Sequence, residues 1–257
     1  MKTQNQNYTM NSAEPFYFAK GRIGALLVHG FTGTPKEMLW LGKFLLDKGI
    51  SVAGIRLAGH ASQPSDLVRM RWHDWLISIE DGLNSLAPNC DEIFIIGLSM
   101  GGVLSLISAA RYPIKGAVAI STPYEMEPDW RMNFARTLSI VKPRVQKGKP
   151  DTVDSETLVW HRDYPFYPTR AVAEFLDLLK IMRNSLSEIE IPILLFSSSR
   201  DRLVPEEGVN KILSMIKSQD KKHVLFHKSG HIMTEDIEKD QVFDLVYSFI
   251  KTHSSLS

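Results

Sequence analysis

Short, nearly continuous apolar runs punctuate the chain: Ala25-Leu26-Leu27-Val28, Val52 to Ile55, Ile93-Phe94-Ile95-Ile96, Ala117-Val118-Ala119-Ile120, Ile193-Leu194-Leu195-Phe196 and Val224-Leu225-Phe226. Runs that do not alternate with polar residues suit strands buried on both faces, as in a parallel sheet covered on each side by helices. Stretches of helical period separate them. From Thr34 to Lys48, Met38, Leu41 and Leu45 recur at helical spacing, with Thr34 as N-cap, Pro35 in the first turn and Gly49 as the stop. Trp72, Trp75, Leu76, Ile79 and Leu83 mark a second helix, and Val103, Leu104 and Ile107 a third that ends before Pro113. A last helix spans Ile237 to Ile250, with Ile237, Val242, Phe243, Val246 and Phe249 or Ile250 along one broad face. Alternating strands and helices predict an α/β fold with a mostly parallel sheet between two helical layers.

One stretch breaks the alternation. From about Tyr124 to Leu186 no strand-like run occurs, and aromatics and methionines (Trp130, Met132, Phe134, Trp160, Tyr164, Phe166, Tyr167) mix with prolines and charges. Disordered linkers are poor in aromatics, so this segment reads as a helical cap inserted over the carboxyl edge of the sheet. The expected division is a core of 1–123 and 187–257 with a cap of 124–186.

Composition narrows the picture. A chain of 257 residues, 44% of them hydrophobic, can fill one large core. With 30 basic against 29 acidic residues, nothing favours a polyanionic partner, and nucleic acid is not expected. A single cysteine, Cys90, rules out an internal disulfide and fits a reducing compartment; it sits at a loop–strand junction as a small semi-buried side chain. The segment Met1 to Asn11 lacks an apolar secretory stretch, and no run approaches a membrane span. The expectation is a cytoplasmic monomer or homodimer, without stable membrane insertion but free to touch a lipid surface transiently.

The chemistry centres on Gly97-Leu98-Ser99-Met100-Gly101, between the strand Ile93 to Ile96 and the helix that follows. A serine on so sharp a strand-to-helix turn is exposed as a nucleophile, flanking glycines avoid clashes in the bend, and the helix N-terminus favours a developing oxyanion. A serine hydroxyl needs a base, and the base needs a carboxylate to orient it and stabilise its cation. In this arrangement the acid and then the histidine follow the serine in the chain. Asp201 lies just after the strand that begins at Ile193, and His231 just after Val224 to Phe226, so all three would meet at one sheet edge. Asp236 and Glu235 violate the chain order, and Asp129 is a weaker rival. His227 and His231 stand at a strand–loop junction, not on one helix face, which argues against a metal pair. No metal or cofactor is expected.

The loop after the first strand, His29-Gly30-Phe31-Thr32-Gly33-Thr34-Pro35, should supply a second oxyanion donor. The N–H groups of Phe31 and Met100 are the candidates, leaving their side chains free to line an acyl pocket. Gly30, which lets the backbone approach the substrate, and Thr32 are candidate substrate contacts, with Met126, Met132 and Phe134 as wall residues in the cap. His29 reads as a loop-ordering residue.

Together with Ala13-Glu14-Pro15-Phe16-Tyr17, His73-Asp74-Trp75, Gly97 to Gly102 and Ser229-Gly230-His231, this loop makes the chain resemble bacterial monoacylglycerol lipases and the related small carboxylesterases of the α/β-hydrolase superfamily, from about residue 13 to 250. The resemblance implies an eight-stranded α/β-hydrolase core with a compact cap. It also implies cofactor-free hydrolysis of monoacylglycerols or short- to medium-chain esters, with the triad on Ser99, Asp201 and His231 and the oxyanion donors on Phe31 and Met100. One departure is Gly59-His60-Ala61, where members of the group usually carry Gly-His-Gly, which implies a differently shaped loop on the glycerol side. A thioesterase, a lactonase or a carbon–carbon hydrolase would use the same triad. A non-catalytic small-molecule binder would be expected to have lost a triad member, and this chain has lost none.

Overall fold

All six apolar runs fold as strands in the computed structural model, which describes residues 9–126 and 135–255. In chain order the strands are β1 (Phe16–Phe18), β2 (Ile23–Val28), β3 (Ser51–Ile55), β4 (Glu92–Leu98), β5 (Gly116–Ile120), β6 (Arg144–Gln146), β7 (Phe166–Pro168), β8 (Ile193–Ser198) and β9 (Lys221–Phe226). The helices are α1 (Leu39–Asp47), α2 (Pro64–Arg69), α3 (Trp72–Leu86), α4 (Met100–Arg111), α5 (Ala135–Val141), α6 (Ser155–Trp160), α7 (Thr169–Ser185), α8 (Glu206–Met215) and α9 (Lys239–His253).

Seven strands form the main sheet in the order β1-β3-β2-β4-β5-β8-β9, parallel except for β1, which runs antiparallel to β3 at the edge. Among the described residues this is one strand fewer than expected. Before β1 the described chain turns at Ser12, with φ 59, and the Met10 N–H donates to Ala61 O at 2.7 Å, so the segment folds over the loop after β3 and does not extend the sheet edge.

Side chains of successive strand residues point to opposite faces, and here both faces are apolar. Leu26, Val28, Ile95, Ala117, Ala119, Ile193 and Leu195 pack with α3, α4, α7 and α8, while Ala25, Leu27, Phe94, Ile96, Val118, Leu194 and Phe196 pack with α1 and α9. Each fully buried large aliphatic or aromatic side chain contributes about 1.5–3 kcal/mol relative to exposure, which explains why the strand runs are continuous. Thr34 occupies the predicted cap position, but its hydroxyl makes no capping bond, and the first turn, Pro35–Met38, is a 3-10 helix. Ile237 precedes α9 and is exposed, so it is not part of that helix's apolar face.

The segment after β5 is less uniformly helical than expected. β6 and β7 pair as a short antiparallel ribbon, with Val145 opposite Tyr167. Ala171, Phe175, Leu178, Leu179 and Met182 on α7 are buried in the same cluster as α4, so this helix is packed into the core of the protein. Among the described residues no helix is long and apolar enough to cross a membrane.

The sheet's connections reverse direction beside β2: the chain leaves β2 for β3 on one side and returns to β4 on the other. Ligands bind at such switch points in open α/β sheets, outside the carboxyl ends of the strands. Ser99 and the loop from His29 to Thr34 both stand there.

Candidate active site

Ser99 connects β4 to α4 with φ 55 and ψ −114, a conformation that non-glycine residues avoid and that costs about 1–3 kcal/mol. Three glycines allow it. A methyl on Gly97 would lie 2.0 Å from Gly101 O, one on Gly101 would lie 2.1 Å from Val28 O, and one on Gly102 would lie 1.9 Å from Thr122 Oγ1. The turn is pinned from behind by the Ser99 N–H, which donates to Ile120 O at 2.8 Å, while Ser99 itself stays partly accessible. The Met100 N–H opens α4 and belongs to the first turn, whose N–H groups have no partner within the helix. The Met100 side chain is fully buried in the core, contrary to the expectation that it would be free to line a pocket.

Opposite the turn, the loop after β2 comes within van der Waals range: a methyl on Gly30 would lie 3.5 Å from Ser99 Cβ. His29 orders this loop. Its Nε2 accepts the Leu57 N–H at 3.2 Å, which leaves the proton on Nδ1 to donate to Gly30 O at 2.9 Å. Burial pushes the His29 imidazole down to about 4, against the Gly30 bond, so the ring is neutral. The Phe31 ring is partly exposed and packs among other aromatics. It stacks on Tyr167 and Phe175, with centroids 5.8 and 5.2 Å away, and meets Trp75 edge-on. Thr32 is fully buried at φ 63, with its hydroxyl donating to Phe31 O at 2.6 Å and accepting from Lys147 Nζ at 2.9 Å.

The acid and the histidine meet. His231 Nδ1 donates to Asp201 Oδ2 at 2.8 Å. The other Asp201 oxygen accepts the N–H groups of Leu203 at 2.8 Å and Val204 at 3.0 Å, which fixes the carboxylate plane. Burial works to raise the Asp201 carboxyl, but the His231 charge and these bonds outweigh it and hold it below the ordinary aspartate value. Burial likewise works to lower His231, and Asp201, followed by Asp151 and Glu37, raises it above the ordinary histidine value. A carboxylate bonded to Nδ1 leaves Nε2 as the nitrogen that can take a proton, the tautomer a general base requires.

Two carboxylates hold these loops, Asp151, which the sequence did not single out, and Asp236, weighed there only as a rival acid. Asp151, in the segment between β6 and α6, accepts from Arg202 N at 2.9 Å and Arg202 Nε at 2.8 Å, and its carbonyl takes the Ile232 N–H at 3.3 Å. It therefore ties the segment between β6 and α6 to both the Asp201 and the His231 loops. Asp236 accepts the Gly230 N–H at 2.7 Å and the Asp154 N–H at 2.9 Å. Neither carboxylate has a local motif that would reveal such a partnership. Of the expected pocket residues, Met126 is partly buried against the core, and Met132 and Phe134 lie outside the described residues. Ala61 sits at φ 52, left-handed backbone that glycine adopts freely and alanine only at about 1–2 kcal/mol. A cavity of about 390 Å³ beside Glu14, Lys36 and Trp160 is not lined by Ser99, Asp201 or His231.

A serine at a strained strand–helix turn beside a glycine loop, with a carboxylate–imidazole pair in the loops after β8 and β9, is the arrangement of a serine hydrolase. The family profile of serine aminopeptidase S33 matches residues 22–238. The chain belongs to this family. It is 32% identical over 249 residues to a thermostable monoacylglycerol lipase of Bacillus sp. (strain H-257), covering 95% of this chain and 97% of that protein. It is 29% identical to a carboxylesterase of Bacillus subtilis (strain 168), over 93% of this chain and 96% of that one. Among solved structures, one of the metagenome-derived lipolytic enzymes LipS and LipT superposes with a TM-score of 0.90 at 28% identity, covering 95% of this chain and all (100%) of that one. The monoacylglycerol lipase of Paleococcus ferrophilus superposes at 0.82 with 19% identity over 94% of this chain and 99% of that one, a likeness of fold. The chain is thus an S33-family serine hydrolase with the α/β-hydrolase fold.

Proposed function

We propose that this S33-family hydrolase cleaves carboxylic esters with an apolar acyl chain, monoacylglycerols or short- to medium-chain esters, through a Ser99–His231–Asp201 triad. The observation that carries the reading is the 2.8 Å His231–Asp201 bond at the same sheet edge as the strained Ser99 turn. Similarity to a monoacylglycerol lipase and a carboxylesterase over nearly the whole chain supports the substrate class.

In this reading Ser99 Oγ attacks the ester carbonyl as His231 Nε2 takes its proton. The carbonyl oxygen becomes an oxyanion held by the N–H groups of Phe31 and Met100. His231 then gives the proton to the departing alcohol, and an acyl-Ser99 ester remains. Water, deprotonated by the same imidazole, releases the carboxylic acid and restores the serine. Asp201 stays ionised throughout and stabilises the imidazolium. Met126, Met132 and Phe134 are proposed to border the acyl chain.

A fluorophosphonate probe should label the wild type and fail to label Ser99→Ala. The same substitution should lower p-nitrophenyl ester hydrolysis by about three to six orders of magnitude with an unchanged melting temperature. Retained labelling or activity in a folded Ser99→Ala protein sinks the assignment. A parallel panel of monoacylglycerols and acyl-thioesters separates ester from thioester preference.

A further inference from the structure

Behind the loop after β2, apart from the triad, five ionisable side chains gather. Glu37, in the 3-10 turn Pro35–Met38, is 5% exposed, and its Oε2 accepts the Gly30 N–H at 2.8 Å. The carboxylate is folded back over its own loop so closely that a methyl on Gly33 would lie 2.0 Å from Glu37 Oε1. That same oxygen lies 3.9 Å from Nε2 of His161, the buried residue that ends α6. His161 Nδ1 bonds Glu235 Oε2 at 2.8 Å, and its Nε2 lies 3.4 Å from Asp163 Oδ2. Asp163 in turn pairs with Lys147, which reaches Thr32. Glu235 stands four residues beyond His231.

We propose that Glu37 is a positioning residue for ester cleavage: its carboxylate, braced by the cap residue His161, fixes the Gly30–Phe31 backbone against the Ser99 turn, while His161 ties this loop through Glu235 to the loop that carries His231. The inference rests on the reading of Ser99 as nucleophile and of the Phe31 N–H as oxyanion donor.

Three lines of argument support it. A peptide N–H bonded to a carboxylate is held by a charge-assisted bond, stronger and more directional than a neutral one. The peptide that accepts this grip directly precedes the one proposed to face the oxyanion, where a displacement of about 1 Å costs on the order of a hundredfold in rate. A cluster of buried charges is also a poor way to gain stability, because apolar side chains of similar volume do as well or better. Geometry is what the charges add.

The electrostatics give the proposal a signature. Burial pushes Glu37 up to about 7, opposed by the His161 charge and reinforced by Glu235. Burial works to lower His161, yet Asp163 and Glu235, with Glu37, raise it to about 10, so this imidazole is cationic at neutral pH. The groups that act on or respond to Glu37 are His161, Lys147 and Tyr167 from the segment after β5, and Glu235 and His231 from the loop after β9; Asp163 acts on His161. Because the Glu37 charge helps to raise His231, its removal should move the acid limb of kcat/KM to lower pH.

The test compares wild type, Glu37→Ala, Glu37→Gln and His161→Gln on a p-nitrophenyl ester, with melting curves to establish folding and fluorophosphonate labelling to report Ser99. Glu37→Ala should lower kcat by about ten- to a hundredfold with KM within about twofold of wild type. Glu37→Gln keeps an acceptor for the Gly30 N–H, so it should recover most of kcat while its acid limb shifts to lower pH. His161→Gln should lower kcat in the same direction as Glu37→Ala. A folded, labelled Glu37→Ala enzyme with wild-type kcat overturns the proposal, as does an unmoved acid limb in Glu37→Gln; should the alanine variant not fold, the glutamine limb decides. Absence of labelling in the wild type would overturn the nucleophile reading and the inference with it, whereas normal labelling with an unaltered profile removes the inference alone.

Discussion

Around Ser99 the chain is held by backbone against backbone, whereas the segment between β5 and β8 is held by charged side chains far apart in sequence. Gly97 and Gly101 let main-chain segments touch with no room for a methyl, Gly102 leaves room for the Thr122 side chain, and His29, kept neutral by burial, stitches one loop to the next. On α7, Glu174 is 1% exposed and faces three guanidinium groups, Arg170 at 3.2 Å, Arg136 at 3.3 Å and Arg71, just before α3, at 3.8 Å. Ile140, Val141 and Val159 in α5 and α6 are 80%, 79% and 76% exposed, a degree that none of the strand residues behind Ser99 approaches. Close-packed backbone has one arrangement and barely responds to salt. Ion pairs whose guanidinium groups stand partly in solvent are screened by salt in part, less so at the buried Glu174 end.

That contrast can be broken at its rigid end first. Asp201→Asn should leave the loops in place, because an amide oxygen can still accept the Leu203 and Val204 N–H groups, yet it favours the wrong imidazole tautomer. The expected loss is about 10⁴-fold in kcat, and a loss below tenfold would show that the His231–Asp201 bond does not serve catalysis. Gly101→Ala forces a methyl onto Val28 O and should destabilise the protein by about 3 kcal/mol, because overpacking here meets backbone and not a movable side chain. Urea unfolding measures it, and a cost below about 0.5 kcal/mol would mean that the turn is looser than its contacts indicate. On α7, Glu174→Gln should cost about 2 kcal/mol by leaving three guanidinium groups without their shared anion. Its effect should shrink in high salt, unlike that of Gly101→Ala, and equal salt dependence of the two would erase the distinction.

The two regions also differed in how far they could be read from residues alone. The strand cores were legible because a strand covered on both faces must be apolar at every position, and the runs at Ile93 and Ile193 say so without any partner. Ser99 was legible for a related reason: glycines on both sides of a serine, between a strand and a helix, serve a local bend. The first edge strand, Phe16–Phe18, was not, since three residues paired on one side carry too little pattern. Nor were β6 and β7, whose short pairing depends on chain segments about twenty residues apart.

The order of the residues, by itself, determined the sheet's buried strands, the serine turn and the succession of acid and histidine after it, because each follows from local hydrophobicity, local backbone freedom or position after a strand. Tertiary structure alone decided that Asp151 would bridge the segment after β5 to the Asp201 and His231 loops, that Met100 would be packed away while the Phe31 ring stacked on Tyr167 and Phe175, and that Glu37, His161 and Glu235 would meet. Those are encounters between side chains distant along the chain, and their energy comes from a shared low-dielectric interior that exists only once the protein has folded.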